Sequence, residues 1–199
     1  MGCDIHIYKE KLVDGKWATA DTWQCEKESD DQDGTFHYYT NDNSGLEDRN
    51  YSAFGILAGV RGDYLDSYKM DPKGLPEQMS EETERQYESW KLDAHGISYL
   101  SINELRNLQH IIENETIKIT GFGTVSNIEK LNEQLDSGVD PDWDLIYPYT
   151  DYQQNDQFWA PFTYDVPIHT SVGDYVKRII DALEGVGGDD QRIVFWFDN

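Results

Sequence analysis

Met1-Gly-Cys-Asp-Ile-His-Ile-Tyr-Lys-Glu10 opens the chain in strict alternation. Successive side chains of a strand point to opposite faces. Cys3, Ile5 and Ile7 therefore share an apolar face, and Asp4, His6 and Tyr8 share the other. The stretch reads as a buried strand that presents a carboxylate and an imidazole side by side, about 7 Å apart at Cα. Just downstream, Asp14-Gly15 is a turn signal, and Lys16-Trp-Ala-Thr19 reads as the returning strand of a hairpin. Far along the chain, Arg192-Ile-Val-Phe-Trp-Phe197 is a near-continuous apolar run. Such runs occupy central positions, so this strand is expected beside the N-terminal one. The two strands decide the fold class. It is α+β: a single domain over 1–199, with a mixed or antiparallel sheet containing the N- and C-terminal strands and about four or five helices packed on it.

The helices have local signatures. Tyr51 to Val60 is apolar with small residues interspersed and reads as a buried helix. Ser80 caps a helix over about 81–90. Ser101-Ile-Asn-Glu104 is a capping box, followed by Ile102, Leu105, Leu108, Ile111 and Ile112 on one stripe. Thr116 to Thr120 alternates like a strand, and Ser126-Asn-Ile-Glu129 is a second capping box. Ser171 opens the last helix, with Gly185 as its stop. Phe36 to Thr40 reads as a short strand, and 26–34 and 41–50 as loops. Residues 131–165 hold no Lys or Arg, many acids and rings, and prolines at 141, 148 and 161. A long acidic aromatic loop is expected over about 137–168.

Charge bounds the function. The 39 acids against 16 Lys and Arg give a formal net charge of −23. Direct nucleic-acid binding needs a cationic surface and is excluded on this ground. The same charge suits a protein that engages a basic site on another protein, and it equally describes a solvated acidic exterior. Cys3 and Cys25 make no disulfide framework and point to a reducing compartment. No apolar run approaches membrane-spanning length. Met1-Gly2 begins like an acylation signal, but His6 stands where Ser or Thr is needed.

Met1-Gly-Cys-Asp-Ile-His6, Arg49-Asn50-Tyr51 with Leu57-Ala-Gly-Val-Arg61, Trp90 with Asp93-x-His95 and Leu100, and Val194-Phe-Trp-Phe-Asp-Asn199 together resemble a group of small bacteriophage and prophage proteins. Most of that group has no assigned function. The resemblance implies a phage origin and expression in the host bacterial cytoplasm, and it carries over no catalytic residue. Gly96-Ile97-Ser98 departs from the more Ser/His-rich segment of the group.

Candidate chemistry follows from these residues. Asp4 with His6, and Asp93 with His95, form two Asp-x-His pairs; together they could hold a divalent metal through carboxylate and imidazole ligands. Arg49 and Arg61, with Tyr51 and Trp90, could line a pocket for a small phosphate-containing ligand. The bland counterpart is a set of salt bridges and hydrogen-bonded rings. Gly121-Phe-Gly-Thr-Val-Ser126 lies where a dinucleotide loop would, but the third glycine is missing and an ordinary capped turn is the better account. Asp140-Pro-Asp-Trp-Asp144 begins like a calcium loop but lacks its glycine and terminal glutamate. A partner-binding face is expected from Asp140, Asp142, Trp143, Asp144, Tyr149, Asp151, Tyr152 and Trp159, rings anchoring and carboxylates selecting a basic partner. The leading expectation is a counter-defence protein that engages and inhibits a host protein with a basic surface. The alternatives are a nucleotide-signal sponge or metal-dependent hydrolase, and a virion or assembly component.

Overall fold

The computed structural model describes residues 2–27, 36–40, 43, 45–62, 65–139, 141–146, 159–188 and 190–199. The architecture is α+β; the described residues form eight strands in antiparallel sheets and six α-helices. The chain packs as two compact units, Met1–Glu115 with Ile168–Asn199, and Thr116–Pro167.

The first unit is built on a four-stranded sheet in the order β2-β1-β8-β5. β1 (Asp4–Val13) pairs antiparallel with β8 (Gln191–Asp198) from Asp4 opposite Asp198 to Lys11 opposite Gln191. The hairpin strand β2 (Lys16–Thr19) flanks β1, and β5 (His95–Ser101) flanks β8. The terminal strands are thus adjacent at the centre, as the alternation and the apolar run predict. A separate hairpin joins β3 (Trp23–Lys27) and β4 (Phe36–Thr40).

Residues directly opposite each other in an antiparallel pair share a face. One face carries Ile5, Ile7, Ile193, Phe195 and Phe197, each 1% exposed or less. α1 (Tyr51–Ala58) lays Phe54 on Phe197, ring centroids 5.0 Å apart. α3 (Ile102–Asn114) packs on β5 and β8 and against α5 (Ile168–Val172) and α6 (Tyr175–Val186). Burying each such side chain contributes about 1.5–3 kcal/mol. The other face buries Tyr8, Val194 and Trp196 under a ring of half-buried side chains that includes Trp23, Met79, Tyr87 and Trp90. Tyr87 and Trp90 belong to α2 (Glu81–Trp90), capped by Ser80 as its sequence predicts. Among the described residues no helix is long and apolar enough to cross a membrane.

In the second unit β6 (Thr116–Thr124) pairs with β7 (Trp159–Pro167), and α4 (Val125–Ser137) buries Leu131. Here several expectations are corrected. Gly121-Phe-Gly-Thr is not a turn but the end of β6, and the cap of α4 is Thr124, whose hydroxyl accepts from the Asn127 amide. A Cβ on Gly123 would come within 3.2 Å of the Leu145 carbonyl, so this glycine serves close packing rather than a phosphate. The end of the expected long loop is strand β7, despite Pro161 and Pro167, because a two-stranded hairpin leaves β7 a free edge where a missing N–H is tolerated. In the first unit, the single last helix expected from Ser171 is two, α5 and α6, and it is Gly187, not Gly185, that closes the second.

Candidate functional site

The residues that carry the scattered sequence motifs meet at one end of the central sheet. Asp4 starts β1, Asp198 ends β8 opposite it, and Arg49 and Tyr51 lie at the N-terminal end of α1. Arg61 follows α1 in the left-handed region (φ 65°), which is strained for a non-glycine residue. Arg49 grips Asp4 with two hydrogen bonds, Nε to Oδ1 at 2.5 Å and Nη2 to Oδ2 at 2.8 Å. That guanidinium holds the Asp4 carboxyl below its usual range. A Cβ on Gly2 would lie 2.9 Å from Arg49 Nη1, so the guanidinium sits directly against the backbone there. The Tyr51 hydroxyl accepts from the Cys3 amide at 3.4 Å, and Arg61 donates to Asn199 Oδ1 at 3.1 Å. Burial pushes the Cys3 thiol upward, against the pull of nearby Arg61, so it is a poor nucleophile.

His6 stands at the inner margin of this cluster. Its Nε2 is 3.6 Å from Asp198 Oδ2, and its ring lies 4.3 Å from Trp90 and 6.0 Å from Trp196. Burial lowers its pKa, with Asp198 pulling the other way. The neutral ring is therefore the favoured form near neutral pH.

The two Asp-x-His pairs do not converge. His95 is the register partner of Phe197 and stacks on it at 6.0 Å, so it shares the apolar face, opposite the face of His6. Asp93 is exposed in the turn after α2, its amide bonded to the Trp90 carbonyl. Among the described residues, no group of three or more His, Cys, Asp and Glu is placed to hold a metal ion. The expected metal set of Asp4, His6, Asp93 and His95 is corrected accordingly: a β-bulge between His95 and Ser98 sets the second histidine on the wrong side of the sheet. Gly62, next to Arg61, packs against α1, where a Cβ would meet Gly55 Cα at 2.5 Å.

Two clefts lie on the aromatic side of the first unit. One, about 460 Å³, is lined by His37, Tyr38 and Tyr39 of β4 and by Arg85, Trp90 and Asp93. Tyr39 is 51% exposed, and Arg85 stands 5.3 Å over the Tyr38 ring while pairing with Glu81. Two of the expected ligand residues, Trp90 and Asp93, line it; sequence reading missed the rest because nothing local ties β4 to α2. The other, about 630 Å³, runs from the β1–β2 turn to the segment 75–79. Next to it a buried ion pair crosses the sheet, Arg192 donating to Glu10 Oε2 at 2.7 and 2.9 Å and stacking 3.8 Å over Trp17.

Of the expected partner-binding residues, Asp140, Tyr149, Asp151 and Tyr152 lie outside the described residues. Asp142 and the exposed Asp144 flank or join a 3-10 turn at Trp143–Leu145, Asp142 lying 3.5 Å from Lys130, and Trp159 begins β7, half-buried. Comparison with protein-family models, with curated proteins and with solved structures finds no match for this chain.

Proposed function

We propose that this is a phage-encoded protein that acts by binding, engaging a basic surface of a host bacterial protein in the cytoplasm and inhibiting it. The observation that carries the reading is the shortage of internal cations. Among the described residues, at least twelve of the sixteen Lys and Arg side chains lie within 4.0 Å of a carboxylate. With 39 acids in the chain, most carboxylates have no cation left within the molecule. An ordered exterior of this kind attracts a basic partner over about a Debye length, near 8 Å at physiological salt, and favours it over acidic ones. The test is capture from host lysate on the immobilised protein. One defined protein should be retained at low salt, released by salt, and lost when the exposed Glu129, Glu133 and Asp136 of α4 become Gln, Gln and Asn. Retention indifferent to both salt and these changes would sink the reading.

The cleft between β4 and α2 favours a second reading, a sponge for a small phosphate-bearing aromatic ligand. Tyr39 and Trp90 offer ring faces, and Arg85 can exchange the exposed Glu81 for a phosphate. Titration with adenosine 5′-monophosphate, followed by tryptophan fluorescence, decides it. Quenching that is lost in Arg85→Ala supports this ligand, and a flat response excludes it.

A further inference from the structure

The larger cleft contains two carboxylates without ion-pair partners. Glu77 and Glu84 both line it and are exposed, and neither makes a salt bridge among the described residues. Lys16 lines the same cleft and makes no salt bridge with either acid among the described residues. The rest of the wall is mixed: Trp17, Leu75, Pro76 and Met79 supply apolar and aromatic surface beside Gly15 and the exposed Gln78. Leu75 is 36% exposed.

The wall is rigid. The Gln78 carbonyl accepts from Arg192, and the Ser80 amide donates to Glu10 Oε1 at 2.7 Å. The segment 78–80 is therefore tied to the buried ion pair of the central sheet. The same corner already shows what chemistry it accepts. Arg192 is held there by an indole face, a backbone carbonyl and a carboxylate, and Glu10 neutralises it in a two-bond grip. A second guanidinium approaching from solvent meets no uncompensated charge from Arg192.

We propose that this cleft is the anchor pocket for an arginine side chain presented by the basic partner. The methylene stem lies along Trp17, Leu75 and Met79, and the guanidinium reaches Glu77 and Glu84. Arginine is favoured over lysine because its flat, weakly hydrated head group suits an aromatic wall and a pair of carboxylates. The partner's identity rests on the binding function proposed above; the pocket itself does not.

The test uses the whole protein, 15N-labelled, titrated with N-acetyl-arginine methylamide and followed by NMR. Expected are shifts confined to the Trp17 indole N–H and to the amides of 75–79 and 84. The neutral isostere N-acetyl-citrulline methylamide should bind about tenfold more weakly, the ratio for losing one charge-assisted hydrogen bond. Glu77→Gln with Glu84→Gln should weaken arginine binding by a similar factor. Lys16→Gln should tighten it, a sign that a merely structural role for these residues does not produce. Four results overturn the pocket: an equal response to citrulline, an equal response to N-acetyl-lysine methylamide, shifts spread over the acidic exterior, or none. Shifts that grow with protein concentration alone would assign the cleft to a second copy and also overturn it. A partner captured from lysate, together with no arginine response here, would remove the pocket and leave the surface reading standing. A local arginine response with no captured partner would do the reverse.

Discussion

On one face of the central sheet, Ile5, Ile7, Ile193, Phe195 and Phe197 are sealed beneath helices. On the other, supplied by the alternate residues of the same two strands, Asp4, His6, Glu10, Arg192 and Asp198 stand among Tyr8, Val194 and Trp196. The first face is closed mainly by shape, its one buried lysine on β1, Lys9, being answered by Asp21. The second carries charges and ring nitrogens, and side chains from distant parts of the chain cover them: Arg49, Tyr87, Trp90 and the segment 78–80; the buried Nε atoms of His6 and Trp196 make no hydrogen bond among the described residues. The difference separates what holds the fold from what is available for recognition. Both clefts open beside the second face's coverings, and neither is lined by a residue of the sealed one.

The sharpest way to break this contrast is to truncate on each face. Phe195→Ala should cost about 3–5 kcal/mol in urea unfolding, since the cavity cannot collapse in a sealed core. Trp90→Ala, on a half-buried ring, should cost clearly less; equal costs would mean that the two faces do not differ in kind. Next comes the buried ion pair. Glu10→Ala strands Arg192 and should destabilise by about 3 kcal/mol, whereas replacing both Glu10 and Arg192 by Met should recover most of that. If the double variant is no better than the single, the pair does more than neutralise itself.

A smaller effect depends on pH. Burial holds His6 below its ordinary 6.5, so on acidification the unfolded chain takes the proton first. The stability that neutral His6 contributes is full above about 6.5 and is lost as pH falls toward its folded value. Urea midpoints at pH 7.5 and 5.5 should therefore converge in His6→Gln relative to the parent. An unchanged difference would place the titration elsewhere. Smallest of all, Arg49→Ala should barely move the thermal midpoint, because the pair with Asp4 is solvent-exposed. Its signature is instead an upward move of the Asp4 carboxyl toward its ordinary 3.8, read by NMR titration.

Much of the framework is legible in the residues. Period-two alternation gives β1, the apolar run gives β8, and serine caps place α2 and α3. β5 escapes because its period is interrupted: Gly96 sits at φ +58° in the bulge, where a Cβ would lie 2.9 Å from both the Phe197 ring and Val60. β3, reading Trp23-Gln-Cys-Glu-Lys27, escapes because it is too polar to announce a strand. Of the site, the residue types were visible and their partners were not. Asp4 and His6 carry chemistry in any reading, but whether they meet His95 or Arg49 depends on which side of a bulge the chain emerges. Glu77 and Glu84 gave no signal, since in so acidic a sequence an unpaired glutamate stands out only once its neighbours are known.

The pairing of Asp4 with Asp198 fixes an order of events during synthesis. β8 lies between β1 and β5, so until residues 191–198 leave the ribosome β1 has only the short β2 to pair with and β5 lacks its partner in the sheet. Up to that moment the nascent chain presents two apolar strands with open hydrogen-bonding edges, the condition under which incomplete proteins associate. A premature stop that removed β8 alone would therefore yield aggregate rather than a slightly shortened protein.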